Sequence, residues 1–278
     1  MRIGEVEQFA AGIVAEVGPR MRHAWREAKK IEHKGVIDIV TETDREIETL
    51  VTRRIAEAFP DHRLIAEEAS SGRTLSPPRE GEYAWYLDPL DGTVNFAHSY
   101  PVFSLSLALA RGRELQFGVV HDPTREETFV ARRGGGATLN GRPIHVSQVT
   151  ELEQALLSTG FPYDSRTHAD YYLGYFRDLL LSAQAVRRGG SAAIDLCWVA
   201  CGRLDGFWEW KLRPWDTAAG VLIVEEAGGR SSDFTGAAFD LHGLQTVASN
   251  GRVHDALVAV LARRLAAAPV PFASSHES

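Results

Sequence analysis

Two aspartates stand together at the end of an apolar segment of this 278-residue chain. The run Ala84–Leu87 leads directly into Asp88-Pro-Leu-Asp-Gly-Thr93. Carboxylates at the end of a buried strand lose much of their hydration free energy, and a bound cation can offset that loss. The proline and the glycine permit a tight turn in which Asp88, Asp91 and the Leu90 carbonyl converge, and such hard oxygen donors suit Mg²⁺, Mn²⁺ or Ca²⁺. A simple turn is the alternative, since Asp-Pro and Asp-Gly are common turn pairs.

Further acidic residues lie where predicted strands end or predicted helices begin. Glu67 and Glu68 follow the predicted strand Leu64–Ala66, while Asp216 and Asp44 each lie in the first turn of a predicted helix. Each has a structural alternative, because solvated loops and helix N-termini favour acids. Bringing Glu67, Asp216 and the two aspartates above together would be strongly repulsive without cations. With two Mg²⁺ ions the same four residues would form a two-metal hydrolytic centre.

Other catalytic motifs are missing from the sequence. It has no Walker lysine loop, no His-Glu-x-x-His and no Gly-x-Ser-x-Gly. The acidic segments themselves resemble, in order, the signature blocks of the inositol monophosphatase family. These blocks are Ile65-Ala-Glu-Glu68, Trp85-Tyr-Leu-Asp-Pro-Leu-Asp-Gly-Thr-Val-Asn-Phe96 and Trp215-Asp-Thr-Ala-Ala-Gly220. Supporting segments are Lys34…Asp38-Ile-Val-Thr41…Asp44, Gly160-Phe-Pro-Tyr-Asp164 and Gly189-Gly-Ser-Ala-Ala193, which precedes Asp195-Leu.

The resemblance covers nearly the whole chain and implies a Mg²⁺-dependent, lithium-sensitive phosphatase. By resemblance, Glu67, Asp88 and the Leu90 carbonyl would hold a first Mg²⁺. Asp88 would bridge to a second Mg²⁺ that Asp91 and Asp216 also hold. A third, weaker ion would lie on the Glu67 side, and Mn²⁺ could substitute for Mg²⁺.

The resemblance also implies the course of the reaction. Thr93, with Asp44 behind it, would orient or deprotonate the attacking water, with Glu67 as a further catalytic residue. Glu68 would support the site through water. Backbone N–H groups of Gly92 and Thr93, at the start of a short helix, could bind phosphate oxygens. Because no Cys or Ser nucleophile is present, we expect direct in-line attack by water.

The predicted substrate is inositol 1-phosphate, cleaved to inositol and phosphate. By resemblance, the substrate contacts are Asp91, Gly92, Thr93, Gly190, Ser191, Ala192, Glu209 and Asp216. The carboxylate of Glu209 would accept hydrogen bonds from adjacent hydroxyls and would repel a second phosphate. Lys211 and Arg213 weaken that argument, since either could bind a second anionic group. Glu209 would also suit the ammonium of histidinol phosphate.

Three alternatives to an inositol 1-phosphate phosphatase therefore stay open. Two are enzymes, a fructose-1,6-bisphosphatase and a histidinol-phosphate phosphatase. The third is a regulatory protein that retains the fold.

The elements that must position these residues follow from hydrophobic patterning. Residues 1–150 are predicted to form an α+β half with most metal ligands, and residues 151–268 an α/β half with the substrate contacts and the last metal ligand. Residues 269–278 are predicted to be a disordered tail. We expect one compact unit, a layered α-β-α-β-α sandwich of the sugar phosphatase type. A capping box at Thr43 is predicted to open a helix, Gly18-Pro19 is expected to disturb the first helix, and Thr138–Val146 is predicted to be one β segment.

Charge and composition limit the classes of binding partner that we expect. The net charge of −7 and the pI near 5.8 argue against nucleic acid and acidic membranes. No apolar run reaches the roughly 18 residues that a membrane span needs, and the N-terminus does not resemble a signal peptide. Two cysteines, Cys197 and Cys201, cannot form a disulfide framework. We therefore expect a cytoplasmic enzyme, and the resemblance implies a homodimer.

Overall fold

A computed structural model of the chain describes residues 2–27, 31–33, 39–70, 75–268 and 270–271. The helices in these residues are α1 (Ile3–Arg26), α2 (Glu42–Ala58), α3 (Glu67–Ser70), α4 (Thr93–Ala97), α5 (Ala169–Leu180), α6 (Ala192–Ala200), α7 (Pro214–Glu226) and α8 (His254–Ala267). The strands are β1 (Ile31–His33), β2 (Ile39–Thr41), β3 (Arg63–Ala66), β4 (Tyr83–Asp91), β5 (Ser104–Arg111), β6 (Glu114–Asp122), β7 (Glu127–Arg132), β8 (Gly136–Leu139), β9 (Arg142–Pro143), β10 (Leu156–Thr159), β11 (Ala185–Arg187), β12 (Gly206–Trp210), β13 (Arg230–Ser232) and β14 (Gln245–Ser249).

Strands β3 to β9 form a seven-stranded sheet in chain order, in which only the pair β3–β4 is parallel. Period-two alternation sends successive side chains of β5 to opposite faces. Leu105, Leu107 and Leu109 pack with α1 and α2 on one face, whereas Ala108 and Ala110 face the other way. The small alanines allow helices to approach that second face closely.

Helices α6 and α7 fill the space between this sheet and a second one. Both are apolar on almost every side, a pattern typical of helices that are buried all round. They share a core with Ala108 of β5, Phe207 of β12 and Ala248 of β14. These helices therefore join the two sheets through a single apolar layer.

The second sheet has the order β11-β10-β12-β14-β13, and β10 runs parallel to both of its neighbours. Its outer face packs against α5 and α8, where Tyr175 and Leu257 contact the core formed with Leu157 and Trp208. The five layers are thus α-β-α-β-α, as the sequence predicted. No helix in the described residues is long and apolar enough to cross a bilayer.

Some local predictions were wrong. Helix α2 begins at Glu42, and its capping box is formed by Thr41 and Asp44, because Asp44 accepts the Thr41 N–H at 2.9 Å. Helix α1 continues through Pro19, and Gly18 beside it lets the helix pack tightly against the His121 ring. The predicted segment Thr138–Val146 is split into β8 and β9 by a turn at Asn140-Gly141, where both residues have positive φ.

Other predictions concern parts of the chain outside the described residues. Lys34 and Asp38 lie there, as does almost all of the predicted tail.

Candidate active site

The ends of parallel strands from both sheets open onto one cavity of about 450 Å³. The first sheet contributes Glu67 after β3 and Asp88 near the end of β4. The second sheet contributes Gly160 after β10, Arg188 after β11 and Glu209 on β12. Sites commonly form at the carboxyl ends of strands, where loops and helix starts converge.

Most of the predicted site residues line this cavity. The lining includes Glu67, Asp88, Leu90, Asp91, Gly92, Thr93, Gly190, Ser191, Ala192, Glu209 and Asp216. Asp44 and Glu68 lie behind it. Asp44 is completely buried, and the nearby charge of Glu68 helps to raise the pKa of the Asp44 carboxyl.

The Asp-Pro-Leu-Asp-Gly-Thr segment forms a bulged strand end rather than a plain turn. The register between β4 and β5 shifts between Asp88 and Asp91, and the Leu90 N–H donates to Asp88 Oδ1 at 2.9 Å. Gly92 follows with a φ of 93°, and a Cβ there would lie 2.9 Å from the Val102 carbonyl oxygen. Only glycine fits this position, and it turns the chain into the short helix α4, which starts at Thr93.

Thr93 and Asp44 form a pair beneath the cavity. The Thr93 hydroxyl lies 3.0 Å from Asp44 Oδ1 and 3.0 Å from the Leu90 carbonyl oxygen. Asp44 Oδ2 also accepts hydrogen bonds from the N–H and hydroxyl of Thr41. Burial raises the pKa of Asp44 to about 6, and the bonds from Thr41 and Thr93 oppose that rise. The same carboxylate therefore caps α2 and fixes Thr93.

Asp91 connects β4 to the start of α6. Its Oδ2 accepts from the Ser191 hydroxyl at 2.5 Å and from the Ala193 N–H at 2.8 Å. Burial raises the pKa of Asp91 to about 6, against the effect of these donors. Residues 100 positions apart in the chain are thereby joined across the two halves of the molecule.

Four carboxylates, those of Glu67, Asp88, Asp91 and Asp216, line this cavity, and Asp88 is the buried one among them. Asp88 is 2% exposed, and burial followed by the charges of Glu67, Asp91 and Asp216 raises its pKa well above the usual range. Burial also raises the pKa of Asp216 to about 7, and a hydrogen bond with Asp88 opposes this rise.

This donor set fits divalent cations, because buried, mutually repelling carboxylate oxygens are what hard metal ions bind. Within the described residues, no three His, Cys, Asp or Glu side chains already form a complete metal site. Each aspartate is nevertheless fixed through one oxygen. The donors are the N–H of Leu90 for Asp88, Ser191 and Ala193 for Asp91, and the Arg213 N–H for Asp216.

Comparison with known proteins identifies the family. Residues 3–266 match the sequence model of the inositol monophosphatase family. The chain belongs to this family. It is 43% identical over 256 residues to the inositol-1-monophosphatase of Synechocystis, covering 92% of this chain and 88% of that protein. It is 44% identical over 234 residues to the Nus factor SuhB of Pseudomonas aeruginosa, covering 83% and 85% respectively.

Solved structures agree with this assignment. The inositol monophosphatase from Anabaena superposes with a TM-score of 0.84 at 38% identity, covering 96% of this chain and all of that one. The chain is accordingly a phosphatase of the inositol monophosphatase family, with that family's layered fold.

The other wall of the cavity carries the substrate contacts predicted for this family member. Glu209 is only 9% exposed, and its carboxylate lies against Gly160, where a Cβ would be 2.3 Å from both oxygens. Glycine at position 160 therefore makes room for Glu209. Burial raises the pKa of Glu209 well above its usual range, and Arg188 opposes that rise.

Sequence reasoning assigned no role to three residues at this site. Glu48 accepts the N–H groups of Glu68 and Ala69, each at 2.8 Å, and so caps α3, which begins at Glu67. Asp195 is buried beneath the glycine loop and accepts the Ser158 hydroxyl at 2.8 Å. Arg188 projects over Gly190. No motif marks Glu48 or Arg188, whereas Asp195 follows the segment Gly189–Ala193 that supports the resemblance.

Proposed function

We propose that this chain is a Mg²⁺-dependent phosphomonoesterase that hydrolyses inositol 1-phosphate to inositol and phosphate. The observation that carries the proposal is the clustering of Glu67, Asp88, Asp91 and Asp216 around one cavity, with the Thr93–Asp44 pair beside them. A binding protein would have no use for four mutually repelling carboxylates, which disfavour the folded state unless cations neutralise them.

The predicted metal ligands are Glu67, Asp88, the Leu90 carbonyl, Asp91 and Asp216. When bound there, Mg²⁺ ions neutralise the phosphate dianion, lower the pKa of a water and stabilise the leaving alkoxide. Two or three ions, with Mn²⁺ as a substitute, agree with the number of oxygen donors. The protein contributes the fixed orientation of each carboxylate through its N–H and O–H partners.

Thr93 and Asp44 would handle the proton of the attacking water. The hydroxyl of Thr93 has one hydrogen, and when it donates that hydrogen to Asp44 its lone pairs are free to accept from a water in the cavity. Asp44, buried and hydrogen-bonded by Thr41, holds the Thr93 hydroxyl in this orientation. Glu68, close to Asp44, would support the arrangement through water.

The polyol would lie between Glu209 and the loop Gly190–Ala192. Glu209 is buried and can accept hydrogen bonds from two adjacent hydroxyls of a bound polyol. The backbone at Gly190, with a φ of 88°, brings the loop close to the cavity without a side chain in the way. In-line attack would then release inositol towards this wall.

The testing experiment measures phosphate release from inositol 1-phosphate with Mg²⁺ and with EDTA. We expect turnover only with Mg²⁺, and Asp88→Asn should lower kcat by at least about a hundredfold with little loss of fold, since it removes one of the carboxylate charges that would hold the predicted ions. Asp170→Asn, on the exposed start of α5, is the matched control and should keep the wild-type rate. Normal turnover by Asp88→Asn would rule out the metal assignment.

A second candidate function comes from the relative named Nus factor SuhB. We propose it as a regulatory role that the same fold could carry beside catalysis. The test supplies cells that lack this protein with either the wild type or Asp88→Asn. Recovery of the cellular defect with the inactive variant would favour the regulatory role, and recovery with the wild type alone would favour catalysis.

The remaining expectations are proposals of the same kind. A cytoplasmic homodimer agrees with the family, with no nucleic-acid or membrane partner. Size-exclusion chromatography with light scattering tests the dimer directly.

A further inference from the structure

The short helix α3 cannot satisfy its own start. It has four residues, and the first of them is the predicted metal ligand Glu67. The first N–H groups of a helix have no partner within the helix, and a helix of one turn is not stable alone. The preceding residue is Ala66, whose methyl side chain cannot accept a hydrogen bond. The start of α3 therefore depends on another part of the molecule.

Glu48 of α2 supplies what Ala66 lacks. Its Oε2 accepts the N–H of Glu68 and its Oε1 accepts the N–H of Ala69, each at 2.8 Å. An N-cap side chain binds the same N–H groups in an ordinary helix, but here the acceptor lies 20 and 21 positions earlier in the chain. Glu48 is buried, so water competes little for these bonds. Both of its oxygens thus fix the direction in which the chain leaves β3.

That direction decides where the Glu67 carboxylate lies relative to Asp88. Ala66 pairs with Leu87 in the parallel strands β3 and β4, so the next residue of each strand, Glu67 and Asp88, reaches the cavity side by side. After burial, the charge of Glu67 contributes most to the raised pKa of Asp88. A cation between two carboxylates is held well only when their oxygens keep the right separation. Rotation of α3 would change this separation.

Glu48 belongs to a helix face that already serves the site. It follows Asp44 by four residues on α2, and residues at this spacing lie on the same face. Both side chains are buried. Asp44 accepts the Thr93 hydroxyl, and Glu48 binds the start of α3. One face of α2 therefore supports both the Thr93–Asp44 pair and the Glu67 ligand.

We propose that Glu48 is a positioning residue that sets the affinity of the cavity for Mg²⁺ on the Glu67 side, by holding α3 so that Glu67 and Asp88 can bind one ion. The proposal rests on the proposed Mg²⁺-dependent activity. Glu48 is not among the described residues that line the cavity, so it acts through α3. Loss of a group that orients a metal ligand commonly weakens metal binding by about 10–100-fold.

The test measures Mg²⁺ binding to the metal-free protein by isothermal titration calorimetry, after treatment with EDTA and its removal. Glu48→Gln keeps the length of the side chain, but its amide can accept one N–H and turns its own NH₂ to the other. The apparent Kd for Mg²⁺ should rise by about tenfold in Glu48→Gln and by up to about a hundredfold in Glu48→Ala. Saturating Mg²⁺ should restore kcat on inositol 1-phosphate to within about threefold of wild type, because Glu48 touches neither ion nor substrate.

Glu226→Gln is the matched control. Glu226, the last residue of α7, also accepts two backbone N–H groups, from Gly134 at 2.8 Å and from Gly136 at 2.9 Å. It too is absent from the described lining of the cavity. Glu226→Gln should lower the melting temperature much as Glu48→Gln does and leave the Kd for Mg²⁺ unchanged. An equal rise of the Kd in both variants would reflect a general loss of stability and would overturn the proposal.

A Glu67→Gln background separates positioning from charge. Glu48→Gln also removes a negative charge, which by itself weakens the binding of a cation. When Glu67 is already replaced, Glu48→Gln should change the Kd by less than about twofold, since the ligand that it orients is gone. A full effect in this background would mean that Glu48 acts by its charge, and the positioning role would be wrong.

Turnover of inositol 1-phosphate, measured on the same samples, distinguishes this inference from the proposed function. Mg²⁺-dependent turnover by the wild type, with an unchanged Kd in Glu48→Gln, refutes only the role of Glu48. Mg²⁺ binding that depends on Glu48 without any turnover refutes the proposed function and supports the positioning role. A wild type that neither binds Mg²⁺ nor releases phosphate refutes both.

Discussion

At the scale of single residues, Thr93 shows how one side chain depends on the fold around it. Its hydroxyl reaches two acceptors, Asp44 Oδ1 and the Leu90 carbonyl oxygen, both at 3.0 Å. Asp44 is itself fixed as the cap of α2 by the N–H of Thr41. A carboxylate in the first turn of α2 thereby orients the group that is expected to act on water.

Replacing Thr93 separates its hydroxyl from its shape. Thr93→Val keeps the branched side chain and removes the hydroxyl, so kcat on inositol 1-phosphate should fall by about a hundredfold or more, as for loss of a general acid–base group. Thr93→Ser keeps the hydroxyl and should stay within about tenfold of wild type. Steady-state kinetics with saturating Mg²⁺, with melting temperatures as a check of folding, measure both. Equal rates for the valine and serine variants would remove Thr93 from the mechanism.

The sequence predicts residues at this scale only where a motif fixes them. Asp88, Asp91 and Asp216 lie in strongly patterned segments, and the structure places all three along the cavity. Lys211 and Arg188 differ, because spacing along the chain does not show which way a side chain points. Lys211 turns to Asp164, 47 residues away, and this pairing depends on tertiary structure alone.

At the scale of elements, helix and strand positions were predicted better than their contacts. Hydrophobic patterning predicts strands at Leu156–Thr159 and Ala185–Arg187 and a helix at Ala192–Ala200. The structure has β10, β11 and α6 with these bounds, since hydrophobic periodicity is a local property. They do not give the short strand β13 (Arg230–Ser232), whose polar residues pair with β14. How closely α6 and α7 approach each other is also invisible in either helix alone.

The contact at Gly220 shows how closely α6 and α7 pack. A Cβ at position 220 of α7 would lie 2.6 Å from Leu196 Cβ of α6, near the rigid end of that side chain. Gly220→Ala should therefore separate the two helices and lower the free energy of unfolding by about 1–3 kcal/mol, the usual cost of overpacking. Urea denaturation at fixed Mg²⁺ concentration measures the change.

Gly12 provides the opposite case. It lies on the exposed face of α1, and no atom of the described residues is within 4 Å of the position that an added methyl group would take. Gly12→Ala should raise the free energy of unfolding by about 0.5–1 kcal/mol, because alanine loses less backbone entropy than glycine in a helix. If both alanine variants were stabilising, the close contact between α6 and α7 would not exist as described.

At the scale of the whole molecule, the five layers are held together by apolar cores and by a few buried polar contacts. One of these contacts is His254, at the start of α8, which is fully buried. Its ring bonds Ser249 of β14 at 2.8 Å and Ser232 of β13 at 2.9 Å. Layer order was predictable from alternating strand and helix patterns, whereas this link between an outer helix and the sheet was not, because a lone histidine carries no pattern.

His254 should make the stability of the whole fold depend on pH. Burial, together with the charge of Arg230 and against that of Asp255, lowers its pKa from 6.5 to about 4. Between these values the unfolded chain binds the proton and the folded one does not, so the free energy of unfolding rises with pH across this window. Between pH 7.5 and pH 5 this histidine should cost the fold about 2 kcal/mol.

His254→Gln keeps a donor and an acceptor for the two serines and cannot titrate. Its free energy of unfolding should therefore not fall by these roughly 2 kcal/mol between pH 7.5 and pH 5. The carboxyl groups of the active site titrate alike in both proteins, and the difference between the two curves of unfolding free energy against pH therefore isolates His254. Parallel curves from pH 7.5 to pH 5 would show that the ring is already protonated, or exposed, in the folded protein. A gap that opens below pH 6.5 would place a neutral imidazole at the junction of α8 with β13 and β14, where it holds the outermost helix to the sheet.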